Sequence, residues 1–489
     1  MTTPQPTSSA GARWTPVIGL EIHVQLSTRT KMFCGCELSF GEPPNTRTCP
    51  VCLGLPGTLP VVNAQAVHFG LMMGLALGCE IAPRSIFHRK NYFYPDQAKN
   101  YQISQYDIPL CSGGRLGDVR LHRIHLEEDA AKLVHIGESG RIHGADASIV
   151  DYNRGGTPLC EIVTEPDIHS AEQAREWLTL LRVTLRQLGV SDVNMEEGSL
   201  RCDANVSVRE AGATGLGTKT ELKNMNSFRF LERGMNAEIE RQVALLEAGE
   251  QVVQETLHFD PSSGRLSSLR SKEEAHDYRY FPEPDLVPLA PTGSMLAAAR
   301  DALPELPAER AARYAGEWGL APDAARLLAY EPRWGDFFEA VAGAGADGVD
   351  GRAAANWVEQ LRVRIGAEAD PAGSRVSPQA LAQLVALVAA KRANAGAGRQ
   401  VLDRLVAEGG DPAAILEREE LGSLDGDDEL AEIVAAAIGA NEGAAEKVRR
   451  GNDKAIGPIV GHVMRATKGR ADGGEVGRLI REQLGVDPP

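Results

Sequence analysis

The chain has 489 residues, which is too long for a single hydrophobic core and predicts two to four domains. Its formal net charge of −16 argues against a protein that coats nucleic acid with a uniformly basic surface. No apolar run approaches the ~20 residues that cross a bilayer, so we expect no membrane association. The eight cysteines do not follow a secreted disulfide framework, which favours the reducing cytoplasm.

The texture of the sequence changes along the chain and suggests domain boundaries. Residues 1–13 lack the apolar core of a signal peptide, so we interpret them as a disordered leader. Residues 14–300 are rich in strand-like segments and turn signals, whereas residues 301–410 have apolar residues at helical spacing. A break at "EGGDP" separates a tail, residues 411–489. We therefore predict an α+β domain, a helical domain and a small helical tail.

The first strand-like segment is "VIGLEIHVQL", Val17 to Leu26, and it alternates with a period of two. Its even positions are all aliphatic, whereas its odd positions carry Glu21, His23 and Gln25. A strand with this pattern buries one face and presents a carboxylate, an imidazole and an amide on the other. The polar face is either solvated or the floor of a site.

Four cysteines then cluster within nineteen residues, as "CGC" and "CPVC": Cys34, Cys36, Cys49 and Cys52. Two close pairs separated by twelve residues can bring four thiolates together tetrahedrally, which is the arrangement of a structural Zn²⁺ site. Free core thiols are the alternative. We predict a zinc-binding insertion near residues 34–52, and a closed, structural site because all four positions are filled.

Three later segments add carboxylates: Glu127, Glu128 and Asp129 in "HLEEDAAK", Asp203 in "SLRCDANVSVR" and Glu221 in "TKTELKN". Each segment could simply have a wet polar face, but four such strands together fit a shared polar cavity better. Oxygen ligands with an imidazole suit Mg²⁺ or Mn²⁺. Interleaved cations such as Arg201 and Lys219 would neutralise a polyanionic substrate or cofactor.

One basic stretch stands out in this acidic chain. Residues 446–470 contain seven basic and two acidic side chains. A solvated helical surface and a module that contacts a nucleic-acid backbone both fit this composition.

Eight motifs appear in order across Gly19 to Leu286: "GLEIHVQL", "PGTLPVVN", "RKNYFYPD", "HLEEDAAK", "DYNRGGTPLCEIVTEPD", "GSLRCDANVSVR", "TELKNMNSFR" and "DYRYFPEPDL". Together they closely resemble the GatB family, the B subunits of glutamyl/aspartyl-tRNA amidotransferases. The helical and tail regions resemble the same family more loosely. The cysteines are not present in every member, so the zinc prediction depends on their spacing alone.

The resemblance implies a fold and an activity. The fold would be a cradle like that of glutamine synthetase and the guanidino kinases, followed by a helical domain and a YqeY-like tail that contacts tRNA. The activity would be ATP-dependent phosphorylation of the side-chain carboxylate on misacylated Glu-tRNA(Gln) or Asp-tRNA(Asn). Ammonia from a partner amidase, the A subunit, would then form the amide, and a small C subunit would complete a heterotrimer.

The resemblance also implies roles for individual residues. The predicted Mg²⁺ and phosphate-transfer residues are Glu21, His23, Glu128, Asp203 and Glu221. Lys90 is predicted to contact phosphate, with Arg201 and Lys219 as further ATP contacts. Two alternatives remain: a zinc-containing tRNA-binding scaffold without phosphoryl transfer, and an amidotransferase that makes its own ammonia.

Overall fold

We describe a computed structural model of the chain over residues 13–136, 145–268, 278–344, 350–422, 427–467 and 470–486. The predicted leader lies outside these residues except for Arg13. The chain divides into two compact units, Met1–Pro307 and Ala308–Pro489. The finer boundaries at residues 300 and 410 stay predictions.

In the part of the chain that the structure describes, the first unit contains the strands and four helices. Its strands are β1 (Trp14–Gln25), β2 (Glu80–Ile81), β3 (Phe87–Asn91), β4 (Tyr101–Gln105), β5 (Cys111–Ser112), β6 (Arg115–Leu116), β7 (Val119–Glu128), β8 (Lys132–Ile136), β9 (Ala147–Asp151), β10 (Pro158–Thr164), β11 (Leu200–Glu210), β12 (Thr220–Met225), β13 (Thr256–Asp260), β14 (Arg265–Ser268) and β15 (Phe281–Pro282). Its helices are α1 (Ala64–Ala76), α2 (Ala171–Gln187), α3 (Phe228–Glu247) and α4 (Gly293–Asp301).

One large sheet organises this unit. In the described residues its strand order is β14-β13-β12-β11-β1-β10-β7-β5-β2, with β6 paired to β7. Neighbouring strands are antiparallel except for β12 and β13, which are parallel. Strand β1 lies near the centre, between β10 and β11.

The apolar face of the large sheet forms the core with the four helices. On β1, the side chains of Ile18, Leu20, Ile22 and Val24 are buried, as the alternation predicts. Helix α1 approaches this face closely because Gly74 carries no side chain. A Cβ atom at Gly74 would lie 2.5 Å from the Sγ of Cys111 on β5.

Two smaller sheets complete the unit: β15-β3-β4, and the hairpin of β8 and β9. The three-stranded sheet meets the large sheet near the end of β7. There, the side-chain oxygen of Gln105 accepts hydrogen bonds from the backbone N–H groups of Leu126 (3.0 Å) and Leu110 (3.1 Å). These bonds hold β4 against β7.

The second unit is helical in the described residues. Its helices are α5 (Pro307–Glu317), α6 (Pro322–Ala329), α7 (Pro332–Ala342), α8 (Gly351–Ile365), α9 (Pro378–Ala389), α10 (Ala395–Glu408), α11 (Pro412–Arg418), α12 (Asp427–Ala440), α13 (Glu442–Arg449), α14 (Gly457–Ala466) and α15 (Gly473–Leu484), with 3₁₀ turns at Pro371–Gly373 and Asp453–Ile456. It has two hydrophobic clusters, one containing Trp334 and Phe338 and one containing Val434 and Ile480. The broad prediction of a mixed α/β protein with a large sheet and many helices is confirmed.

A helix that crosses a bilayer needs about 20 consecutive, predominantly apolar residues. Among the residues that the structure describes, no helix is both long enough and apolar enough to cross a bilayer.

Candidate active site

The polar face of the large sheet brings together side chains from four adjacent strands. His23 on β1 is in register with Arg201 on β11 and with Glu161 on β10. Glu161 is in turn in register with His125 on β7. Because residues directly opposite in antiparallel strands share a face, these side chains form one row.

The centre of this row is a compact cluster of imidazole and carboxylate groups. His23 Nε2 lies 3.3 Å from Glu161 Oε2 and 3.6 Å from Glu127 Oε1. His125 Nε2 lies 3.6 Å from each of these carboxylates. Ser104 Oγ donates a hydrogen bond to Glu127 Oε2 (3.0 Å), which fixes that carboxylate from the smaller sheet.

The cluster has the ligand types and spacing of a divalent metal site. Two overlapping groups, Glu21 with His23 and Glu161, and His125 with Glu127 and Glu161, each have ligand atoms within 4.8 Å of one another. Carboxylate oxygens with an imidazole nitrogen are a donor set that Mg²⁺ and Mn²⁺ accept.

The electrostatics of the cluster follow from burial and close opposite charges. Burial opposes the charged form of His23, but its hydrogen bond with Glu161 and the charge of Glu127 raise its pKa to about 9. Burial likewise opposes ionisation of Glu161, yet the neighbouring histidines hold its pKa well below the usual range. Burial, with the charge of Glu161, raises the pKa of Glu21.

The polar face continues past His23 to a second group of carboxylates. Glu21 is in register with Asp203 on β11, and Asn205 on the same strand is in register with Glu221 on β12. Lys223 Nζ lies 3.3 Å from Glu221 Oε1. Burial raises the pKa of Asp203.

A half-buried lysine from the three-stranded sheet adds a positive charge. Burial opposes the charged form of Lys90, but the charge of Glu127 and the nearby Tyr280 and Tyr278 raise its pKa above the usual range. Its Nζ lies 4.8 Å from the centre of the Tyr278 ring. The charges of Glu127 and Glu161 act on the Lys90 ammonium, which places it near the cluster.

Glu128 does not join this cluster. It accepts hydrogen bonds from Lys99 Nζ and from the backbone N–H of Ile103 (2.9 Å), and it lines a separate cavity of about 130 Å³. The reason is the strand period: Glu128 follows the parity of Ile124 and Leu126, which are buried in the core. The sequence predicts that Glu128 lies with Glu21 and His23. The structure instead places Glu127 beside His23, and Glu128 on the other face of β7.

The four clustered cysteines have their ligand atoms within 4.8 Å of one another, which fits a tetrahedral thiolate site: Cys34, Cys36, Cys49 and Cys52. The backbone N–H of Cys49 donates to Cys52 Sγ (3.2 Å). The Cys34 thiol and the ammonium of Lys31, whose Nζ is 3.8 Å from Cys52 Sγ, lower the pKa of Cys52 to about 4.

This cysteine segment is fastened to the loop that follows β9. The side chain of Asn45 donates to the carbonyl of Val150 (3.0 Å) and accepts from the N–H of Tyr152 (2.7 Å). Lys31 Nζ donates to the carbonyl of Tyr152 (3.0 Å). The cluster therefore anchors this loop as well as its own segment.

Comparisons with known proteins identify the family. A model described as the GatB/GatE catalytic domain matches residues 16–297, and one described as the GatB domain matches residues 336–484. The chain belongs to the GatB family. It is 50% identical to the B subunit of the aspartyl/glutamyl-tRNA(Asn/Gln) amidotransferase of Frankia casuarinae, covering 97% of this chain and 96% of that protein. The corresponding B subunits from Anaeromyxobacter sp. strain K and Geobacter sulfurreducens are 48% and 47% identical, each over 96% of this chain and 98% of its own length.

The family resemblance seen in the motifs is therefore confirmed. Within this GatB-family chain, Glu21, His23, Asp203 and Glu221 share the polar face, and the charges of Glu127 and Glu161 on that face act on Lys90. Lys219 precedes β12 and is exposed.

The sequence reasoning missed three buried members of the GatB-family cluster: His125, Glu127 and Glu161. A signal for each was present. The alternation of Ile124 and Leu126 on β7 already assigns His125 and Glu127 to the polar face. Glu161 lies between two buried residues of β10, so the same alternation assigns it to that face.

Proposed function

We propose that this chain is the B subunit of a glutamine-dependent tRNA amidotransferase, an ATP-dependent carbon–nitrogen ligase of the cytoplasm. It would bind misacylated Glu-tRNA(Gln), Asp-tRNA(Asn) or both, and activate the side-chain carboxylate by phosphorylation. The observation that carries the proposal is the single polar face on which His23, Glu127 and Glu161 meet beside Lys90. The names of the relatives support the substrate class.

The chemistry explains why such a face is needed. A carboxylate is a poor acyl electrophile because its leaving group would be the oxide ion, O²⁻, which is far too basic to be expelled. In the proposed reaction, a carboxylate oxygen of the substrate attacks the γ-phosphorus of ATP, the bond to the β-phosphate oxygen breaks, and ADP leaves. Ammonia from the partner amidase then attacks the carbonyl carbon, and phosphate leaves with the amide formed. Bringing two anions together requires fixed positive charge.

The carboxylates and His23 would hold Mg²⁺, which would neutralise phosphate charge when bound. The proposed ligand set comprises residues of the polar face: Glu21, His23, Glu127, Glu161, Asp203 and Glu221. The donor set supports this assignment, and the raised pKa of His23 means that the metal would replace a proton there. Glu128, on the other face, is not among the proposed ligands.

The chain's own cations would bind and orient the nucleotide. Lys90 lies beside Glu127, where its ammonium would meet a transferring phosphoryl group. Arg201, in register with His23, would contact a further oxyanion. Lys219, exposed just before β12, would be a further cation for the nucleotide phosphates.

The remaining proposals concern architecture. The first unit would be a cradle of the glutamine synthetase/guanidino kinase type, the region 301–410 a helical domain, and the region 411–489 a YqeY-like tail that contacts tRNA. The cysteine cluster would hold a structural Zn²⁺, with Lys31 offsetting the charge of its thiolates. The chain would work in a heterotrimer whose other members are the amidase, or A subunit, and the small C subunit.

One experiment tests the proposed function. The reconstituted heterotrimer is offered each misacylated tRNA with ATP and glutamine, and ATP hydrolysis and amide formation are measured. We expect hydrolysis that depends on misacylated tRNA. Its absence from a properly assembled complex would favour the zinc-containing tRNA-binding scaffold, and glutaminase activity of this chain purified alone would favour a self-sufficient enzyme.

A further inference from the structure

The buried carboxylate of Asp129, directly after β7, accepts a hydrogen bond from the guanidinium of Arg201. The side chain of Asp129 is only 2% exposed, and its Oδ2 accepts hydrogen bonds from Arg201 Nη2 and from Gln25 Nε2, both at 2.7 Å. Its Oδ1 accepts from the N–H of Ala130 (2.9 Å), and Arg154 Nε lies 3.7 Å from Oδ2. The carboxylate is thus fixed by several donors, and it fixes the guanidinium in turn.

The backbone at Asp129 is equally well held. Its N–H donates to the carbonyl of Thr157, and its own carbonyl accepts from the N–H of Gly156, both at 2.8 Å. Arg154 Nε donates to the carbonyl of Ala130 (2.9 Å). A side chain held at this many points loses little additional freedom when it orients a neighbour.

The guanidinium of Arg201 has an N–H donor that its hydrogen bond to Asp129 does not use. Its side chain is 40% exposed, and its buried Nε has no hydrogen-bond partner among the described residues. A buried N–H without a partner is costly, so such groups are usually satisfied by a ligand or water. A guanidinium fork matches phosphate and carboxylate oxygens bidentately.

Two cations, Arg201 and Arg154, share the carboxylate of Asp129. Arg201 is next to His23 in the row of the polar face. The arrangement therefore presents a fixed guanidinium, with an N–H that is unpaired within the described part of the chain, at the edge of the proposed metal site.

We propose that Asp129 is a positioning residue, which holds the Arg201 guanidinium so that it binds an oxyanion of a substrate. The proposal deepens the proposed function, on which it depends. The oxyanion is either a phosphate of the nucleotide or the carboxylate of the aminoacyl group. Asp129 itself touches neither substrate and acts only through Arg201.

A double-mutant cycle tests this in the reconstituted heterotrimer. KM for ATP, KM for misacylated tRNA, and kcat are measured for wild type, D129N, R201Q and D129N/R201Q. We expect D129N to raise one KM about tenfold, because a charge-assisted hydrogen bond that holds the fork is lost. In the R201Q background, D129N should have no further effect, since the residue through which it acts is gone.

The control is D167N, which breaks another arginine–aspartate pair of the same unit. Arg120 binds Asp167 through two hydrogen bonds of 2.7 and 2.8 Å, away from the proposed site residues. D167N should leave both KM values unchanged. A raised KM for ATP assigns the oxyanion to the nucleotide, whereas a raised KM for misacylated tRNA assigns it to the aminoacyl carboxylate.

The outcomes separate the two proposals. A wild-type complex without tRNA-dependent ATP hydrolysis would overturn the proposed function, and this inference with it. An active wild type in which D129N and R201Q are additive, or in which D129N behaves like D167N, would overturn the inference alone. If D129N does not fold, R201K decides: lysine can pair with Asp129 but lacks the fork, so retained wild-type KM values would contradict the proposal.

Discussion

Glu127 and Glu128 are consecutive in sequence, yet only Glu127 reaches His23, with 3.6 Å between its Oε1 and the imidazole Nε2. Glu128 instead accepts hydrogen bonds from Lys99 and from the N–H of Ile103. The sheet separates two adjacent carboxylates into two environments. Their substitutions should therefore have different consequences.

We expect E127Q to weaken divalent-metal binding at least about tenfold, because it removes one charged ligand from the proposed site. E128Q should leave the metal affinity unchanged, since its carboxylate lies on the other face of β7. Mn²⁺ binding, followed by electron paramagnetic resonance on each purified variant, checks both statements.

E128Q also serves as the matched control for charge removal. It should lower the free energy of unfolding by about 2 kcal/mol, because it weakens the charge-assisted hydrogen bond with buried Lys99. Lost Mn²⁺ binding in E128Q with normal binding in E127Q would reverse our assignment of the two residues.

Metal affinity should depend on pH through His23. Its pKa is about 9 without a metal, whereas a metal ligand must be neutral imidazole. Below pH 9 the metal must displace a proton, so affinity should rise with pH and level off near pH 9. In H23Q the dependence between pH 7 and 9 should flatten. Isothermal titration with Mn²⁺ at several pH values measures it, and an equally steep slope in H23Q would exclude His23 as the titrating ligand.

C49S should lose stoichiometric zinc and melt at a lower temperature, because three thiolates cannot close the tetrahedral site. C79S is the control, since Cys79 lies outside the cluster. Metal content by mass spectrometry and thermal unfolding are the measurements. Equal zinc content in C49S and wild type would refute the zinc proposal.

Gly74 should tolerate no side chain. G74A would place a Cβ 2.5 Å from Cys111 Sγ and 2.7 Å from Ile81 Cδ1, so we expect a loss of about 1–3 kcal/mol in the stability of the first unit. Gly439 in α12 has nothing within 4 Å of such an atom. G439A should be neutral or slightly stabilising. Chemical denaturation of both variants tests the contrast.

The basic stretch of the tail should contribute to tRNA affinity. Arg449 and Arg450 lie at the end of α13, exposed, and both pair with Glu446. Replacing both with alanine should reduce the slope of log affinity against log salt by about 0.7–0.9 per lost phosphate contact. R326A, an exposed arginine that pairs with Asp323 outside the tail, is the control. An unchanged slope would make this a merely solvated surface; Lys468 of the same stretch lies outside the described residues.

The sequence predicted the polar face of β1 because a local period of two is enough to assign it. Applied to β7, the same rule would have selected Glu127, since Ile124 and Leu126 are aliphatic. Because Glu127, Glu128 and Asp129 are consecutive acids, the segment "LEED" does not show at a glance which carboxylate lies on the polar face. Glu161 could have been recovered in the same way from the alternation of β10.

Other features could not be read from local pattern, because they depend on which strands become neighbours. Asp129 and Arg201 are 72 residues apart and meet only because β1 lies between β10 and β11. Ser104 reaches Glu127 from a different sheet. Local spacing in the sequence therefore cannot predict these long-range pairs.

Lys31 donates to the carbonyl of Tyr152 beside the cysteine thiols, and four residues later the N–H of Gly156 holds the backbone of Asp129. Oxidation of these thiols to disulfides would remove the thiolate charge of Cys52 that interacts with the Lys31 ammonium. A displacement of this segment would therefore bear on the backbone of Asp129, whose carboxylate holds the Arg201 guanidinium.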